Sequence, residues 1–182
     1  PLIGCWSATF GANIIAGMFF TFLPLHAEDK GLNVKLIGIL FFGQALINAL
    51  SRIPFGIISD RIPDRKYLVL AGIFLLSLST AGFSLTKNFT HFFSFALWLG
   101  ISMGLTFTSI GALIAETVPD HFRGLAMGGY NTSIYLGMMA GSIAFGWVIE
   151  SLGYAISFLL AGCLNIIFLF VLNLIILIFQ LT

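Results

Sequence analysis

Six stretches of apolar residues fill this chain, and nearly all of its charge falls in the short gaps between them. They run 2–25, 36–58, 67–85, 89–114, 125–149 and 155–181. A bilayer's hydrocarbon core takes about 20 residues of helix per crossing, against about 9–11 for a tilted barrel strand. The stretches have helix length, and none shows the apolar/polar alternation of a barrel strand. Charged residues make up 8% of the chain and hydrophobic ones 59%; a soluble domain carries roughly 25% and 45–50%. A water-soluble fold of this composition could not cover itself with polar surface, whereas lipid makes an apolar exterior correct. The predicted fold class is therefore an all-α membrane protein of six transmembrane helices, with residues 1–182 forming one domain and the lipid bilayer as its first partner.

The gaps set the expected topology. Short connections predict that consecutive helices pack as antiparallel neighbours. Gaps two and four carry Arg61, Arg65, Lys66 and Arg123, with Arg52 just inside the second stretch; gaps one, three and five carry Lys30, Lys35 and Lys87. By the positive-inside rule, gaps two and four and both chain ends face the cytoplasm, in a plasma or inner membrane. The chain starts at Pro1 without a basic region or cleavage site, which reads as a fragment rather than a signal peptide. Asn88-Phe89-Thr90 fits a glycosylation acceptor that chance also produces. Cys5 and Cys163 lie inside apolar stretches with no disulfide or metal spacing, so no metal or cofactor is expected. A net charge of +1 without a large basic patch excludes nucleic acid.

Polar and small residues inside the stretches carry the functional clues. Gly100/Gly104, Gly124/Gly128 and Gly137/Gly141 repeat every four residues, which suits close helix packing or faces able to slide. Asn13, Gln44, Asn48, Asn131, Thr132, Asn165 and Asn173 are polar groups at membrane depth. They serve either as helix–helix hydrogen-bonding groups or as ligand contacts; Asn13, Gln44, Asn48 and Asn131 are the candidate solute-facing surface. Arg52 would cost about 2.5–3.5 kcal/mol at a helix centre, so it either snorkels to headgroups or pairs at a gate. No stretch has an Asp or Glu near its middle, so an acid coupling transport to protons or another ion is expected elsewhere. His26, His91 and His121 sit in separate gaps without ligand spacing, and no nucleophile–base pair is visible, which argues against an enzyme. No filter-like loop suggests a channel.

The second gap is the densest in charge. Gly56 lies one turn before Asp60, so both share a helix face, and the glycine would permit close helix contact there. Asp60 at that end suits the positive N-terminus of another helix. Arg61, Arg65 and Lys66 are placed to pair with Glu116 or Asp120 from gap four. Gly56, Asp60, Arg61, Arg65, Glu116 and Arg123 form the candidate gate cluster, read either as a latch broken when helix bundles rock apart or as a solvated turn.

Gly56, Asp60, Arg61 and Arg65, followed by Lys66, resemble the signature loop of the major facilitator superfamily, which joins the second and third helices of each six-helix half. Glu116 to Arg123, then Gly124, resembles the acid-to-arginine loop after the fourth helix, and Gly128, Gly137, Gly141 and Gly146 match the glycine spacing of the fifth. Pro63 and Asp64 depart from the usual loop, the fourth stretch has no arginine near Trp98 to Gly104, and Ser142 and Phe145 replace the antiporter Pro and Gly. These departures favour the C-terminal half. The resemblance implies secondary active transport of a small solute by alternating access, with uptake and efflux both open, and a missing six-helix half as partner. It also implies that Asp60 meets the fifth-helix N-terminus of that other half and stabilises the inside-closed state. A transport-inactive sensor or assembly subunit of the same fold is the competing reading, and an integral membrane enzyme a weaker one.

Overall fold

The computed structural model describes residues 2–62 and 65–180. They form five helices: α1 (Leu2–Asp29), α2 (Val34–Arg61), α3 (Lys66–Gly82), α4 (Phe89–Thr117) and α5 (Arg123–Gln180). All five are long and apolar enough to cross a membrane. A 28-residue helix such as α1 or α2 is about 42 Å long, which exceeds the roughly 30 Å hydrocarbon core. α1, α2 and α4 therefore extend up to about a turn past the apolar stretches that predict them, whereas α3 ends at Gly82, short of its stretch.

The termini follow from local chemistry. α1 ends at Gly31, whose φ of 82° lets the Leu32 amide reach back to the Ala27 carbonyl at 3.0 Å. Asn33 then caps α2 by accepting a hydrogen bond from the Leu36 amide at 3.0 Å, and Asn88 caps α4 through the His91 amide at 3.1 Å. The Asn-Phe-Thr triplet is thus a helix start. Pro119 stops α4, holding Val118 extended before a 3-10 turn at Asp120–Phe122. A second 3-10 turn, Phe83–Leu85, extends α3.

The two C-terminal stretches follow one another with no loop between them. They join in one 58-residue element whose helical dihedrals break at Gly153 (φ 76°, ψ 171°). Left straight, it would run roughly 87 Å. Instead the chain folds back at this glycine, the residue type that enters the left-handed region without a Cβ clash. In the first arm (123–152), Trp6 bonds to Ala126 and Phe22 lies near Gly146, so α1 runs parallel to it. In the second arm (154–180), Tyr154 and Phe158 meet His26 while Phe168 meets Gly11, so α1 runs antiparallel to it.

Packing also departs from the expected order. α3 and α4 are antiparallel neighbours, but α1 and α2 touch little, chiefly through Phe19, Phe20 and Phe41. The close pairs are α1 with the first arm of α5, and α2 with α4. Both pairs are parallel and joined through glycine. Gly137 and Gly141 lie against the α1 backbone at Phe10 and Ile14, and Gly17 answers at Met138; Gly100 and Gly104 lie against Gln44, Ile47 and Ser51 of α2. Helix association in lipid rests on such backbone approach rather than on apolar burial, so small residues override the preference for sequence neighbours. Gly124 and Gly128 are the exception, with nothing within 4 Å of a Cβ built at either. Their spacing matches that of the packed pairs, but they point away from every described helix.

Two apolar cores fill the bundle. One gathers Phe19, Leu23, Leu40, Leu76, Phe83, Phe92 and Phe158. The other, nearer the charged loops, gathers Cys5, Val69, Ile110, Ile114, Ala126 and Tyr130. Cys163 is exposed.

Candidate functional site

Three helix ends meet at one guanidinium. Arg65 immediately precedes α3, and its Nη2 donates to Asp60 Oδ1 at the end of α2 and lies 3.1 Å from Glu116 Oε1 at the end of α4; both distances are 3.1 Å. The Arg65 side chain is mostly covered, at 15% exposure, while both carboxylates are more than half exposed. The covered guanidinium keeps its contacts in one geometry, and the outward-facing carboxylates remain hydrated, so neither acid suffers full desolvation. This pairing also brings gaps two and four to the same end of the bundle. At the opposite end, His26, Phe83, Thr86 and Tyr154 bring gaps one, three and five together.

The remaining members of the proposed cluster stand apart. Arg123 pairs at 3.0 Å with Asp120 within its own turn. The exposed Arg61 makes no ion pair among the described residues. Gly56 shares the Asp60 face, but its nearest neighbour would be Thr108 Cγ2 at 3.9 Å, so no described helix uses the close approach it permits. Asp64 lies outside the described residues.

The candidate solute-facing residues divide as well. Gln44 and Asn48 lie one turn apart on α2, and Arg52 follows a turn later on the same face. With Phe20 of α1 and the small side chains of Ala45 and Ala49, they line an open cleft of about 440 Å³. Asn48 Oδ1 accepts from Arg52 Nε at 3.0 Å, and the buried Gln44 donates to Met103 Sδ at 3.2 Å. Asn13 is instead buried against Gly137 and donates to the Thr9 carbonyl at 2.8 Å. Asn131 is exposed on α5, away from the cleft lining. Asn165 serves packing, donating to the Ile73 carbonyl of α3.

Residue type and spacing gave no sign of the surroundings of His26. The ring is 1% exposed. Its Nε2 lies 3.3 Å from the Phe83 carbonyl and 3.2 Å from Thr86 Oγ1. Phe92, Tyr154 and Phe158 surround it with centroids 5.2–5.5 Å away. No periodicity connects residues 26, 83, 92 and 158; only the folded bundle does.

A bundle of apolar helices long enough to cross a bilayer, with an Arg65-centred ionic cluster at one end and a polar cleft on one flank, is the architecture of a polytopic membrane protein. A profile of the Major Facilitator Superfamily matches residues 5–181, and the chain belongs to that family. It is 26% identical over 162 residues to an uncharacterised MFS-type transporter of Methanocaldococcus jannaschii, covering 89% of this chain and 42% of the relative. It is 25% identical over 169 residues to human MFS-type transporter SLC18B1, covering 89% and 37%. Against quinolone resistance protein NorA of Staphylococcus aureus it is 27% identical over 152 residues, covering 83% and 38%. The chain thus spans about two fifths of the length of these relatives. In fold it is similar to a bacterial homologue of the human lysosomal transporter Spinster, solved inward-facing and occupied, with a TM-score of 0.79 at 19% identity over 95% of this chain and 43% of that one. Membrane transport is what such proteins share, and the family's members are transporters rather than enzymes.

Proposed function

We propose that this chain supplies one six-helix half, the C-terminal one, of a secondary active transporter that moves a small solute by alternating access. In this reading the two arms of α5 are separate crossings, and both chain ends face the cytoplasm. The observation that carries it is the α2 flank, where Asn48 and Arg52 lie in an open cleft and Gln44, at its far end, is packed into the bundle against Met103. A second half closing over that flank would turn the cleft into one wall of a central cavity. Coverage of only two fifths of the relatives and the unfilled approach at Gly56, Gly124 and Gly128 fit a surface made for another bundle.

The Arg65–Asp60–Glu116 cluster then has a stated job. It clamps the ends of α2, α3 and α4 into a rigid body, while the exposed edge of Asp60 meets the partner half and holds the inner side closed. Arg61 and Arg123 supply positive charge to the same face without joining the clamp. Coupling to protons or another ion would fall to an acid outside residues 1–182.

The test is sided labelling of the intact protein carrying Asn48→Cys, with Cys5 and Cys163 replaced by Ser, in sealed vesicles. Alternating access gives labelling by membrane-impermeant maleimide from both sides. Labelling from one side only, under every solute condition, would refute transport through this cleft and favour a fixed sensor or assembly role. Uptake of a cell extract by the same vesicles, read by mass spectrometry, then identifies the solute.

A further inference from the structure

The α2 cleft holds a cation, Arg52, with no counter-ion among the described residues. Asn48 Oδ1 fixes Arg52 Nε at 3.0 Å, which leaves both Nη groups without a partner among the described residues. No carboxylate among these residues lies within salt-bridge reach of Arg52; the described ion pairs belong to Lys30, Arg65 and Arg123. Tyr130 of α5 is within electrostatic reach, but its neutral phenol carries no balancing charge. A guanidinium oriented through Nε presents a planar two-nitrogen edge that fits a carboxylate's two oxygens.

The rest of the cleft fits an apolar body behind that charge. Ala45 and Ala49 make a shallow floor between the polar residues. Phe20 forms a wall, itself stacked on Phe41 with centroids 6.1 Å apart and an interplanar angle of 20°. Gln44 marks the far end, eight residues from Arg52, or about 12 Å along the helix. We infer that this cleft takes an organic carboxylate with an apolar or aromatic body, its anionic group on Arg52 and its body against Phe20, and that Arg52 selects against cations. The inference rests on the proposed solute-facing role of this flank and adds the chemical class of the solute.

The intact protein is reconstituted in phosphatidylcholine vesicles with Ala49→Cys as reporter, in the Cys5→Ser, Cys163→Ser background, and maleimide labelling is timed. Benzoate, benzamide and benzylamine are matched probes of one shape and three charges. Benzoate is expected to protect at about tenfold lower concentration than benzamide, the minimum that a charge-assisted bidentate contact supports, with benzylamine not protecting. Arg52→Gln should abolish the difference and Arg52→Lys retain part of it. Equal protection by all three probes, or by none, with the cysteine still reactive, overturns the anion assignment and leaves the solute-facing reading intact. A cysteine unreactive in every condition, at position 49 and at a second reporter Ala45→Cys, overturns both. Protection on adding phosphatidylglycerol to the vesicles without any probe would show Arg52 holding a lipid headgroup, and overturns the solute assignment.

Discussion

Replacing Gly141 with alanine should destabilise the bundle, while the same change at Gly128 should stabilise it. The two glycines lie on one helix, both within apolar sequence, and pattern alone does not separate them. A Cβ at Gly141 would fall on the carbonyl of Ile14, deep inside van der Waals contact with backbone that cannot rotate away. The α1–α5 seam must then open by roughly 1 Å, an overpacking that costs about 1–3 kcal/mol. Alanine's better helix propensity returns up to about 1 kcal/mol, so a net loss of about 0.5–2 kcal/mol remains. At Gly128 nothing lies within 4 Å of the added methyl, so only the propensity gain applies. For a chain of this size these values correspond to a fall of about 1–8 °C for Gly141→Ala and a rise of up to about 2–4 °C for Gly128→Ala. Thermal unfolding of this chain in detergent, followed by tryptophan fluorescence in a Trp98→Phe, Trp147→Phe background, reads the seam, because Trp6 Nε1 donates to the Ala126 carbonyl across it at 3.1 Å. A rise for Gly141→Ala matching that of Gly128→Ala would refute the claim that backbone approach holds α1 to α5.

Arg65→Gln should cost about 0.5–2 kcal/mol, the sum of two partly exposed carboxylate contacts, with most of it lost at high salt; Arg123→Gln, which loses one local pair, should fall below about 0.5 kcal/mol, and urea-driven unfolding at two ionic strengths separates them. His26→Phe keeps a ring in the aromatic cage and removes one hydrogen-bonding nitrogen, while the Thr86 hydroxyl and the Phe83 carbonyl stay bonded to each other at 2.7 Å, so a loss of only about 0.5–1.5 kcal/mol is expected, measured by the same unfolding. Gly153→Ala forces a Cβ into a φ of 76° at a cost of about 1–2 kcal/mol; the thermal midpoint should drop, and no change would mean that the chain does not reverse there. Asp60→Asn in the intact protein should raise maleimide labelling of cysteines placed in the cleft from the cytoplasmic side, and unchanged labelling would count against Asp60 as the inner latch.

Some of the site was legible one residue at a time. The charge pattern of gaps two and four places Arg65 to pair with Glu116 or Asp120, and the Glu116 pair forms; the Asp60 contact does not follow from that pattern, which gives Asp60 to a helix N-terminus instead. The Glu116 prediction succeeds because loops on one side of a membrane are confined to a thin layer. Arg123 fails the same logic because a carboxylate three residues back, Asp120, competes at far smaller entropic cost. Gln44 and Asn48 share a face by helical spacing alone, whereas Asn13 and Asn131 depend on which helices meet, and α1 turns Asn13 into the α5 seam.

The amino-acid sequence by itself determined that the chain lives in lipid, that it is helical, and that gaps two and four carry most of its arginine. These properties follow from segment length and from the cost of leaving charge or bare backbone in hydrocarbon, both local quantities. Tertiary structure decided which glycines are contacts and which are open, that α1 pairs with the first arm of α5 rather than with α2, and that His26 is enclosed. Those outcomes turn on backbone approach between segments more than a hundred residues apart, and no spacing along one strand of sequence encodes the partner it will meet.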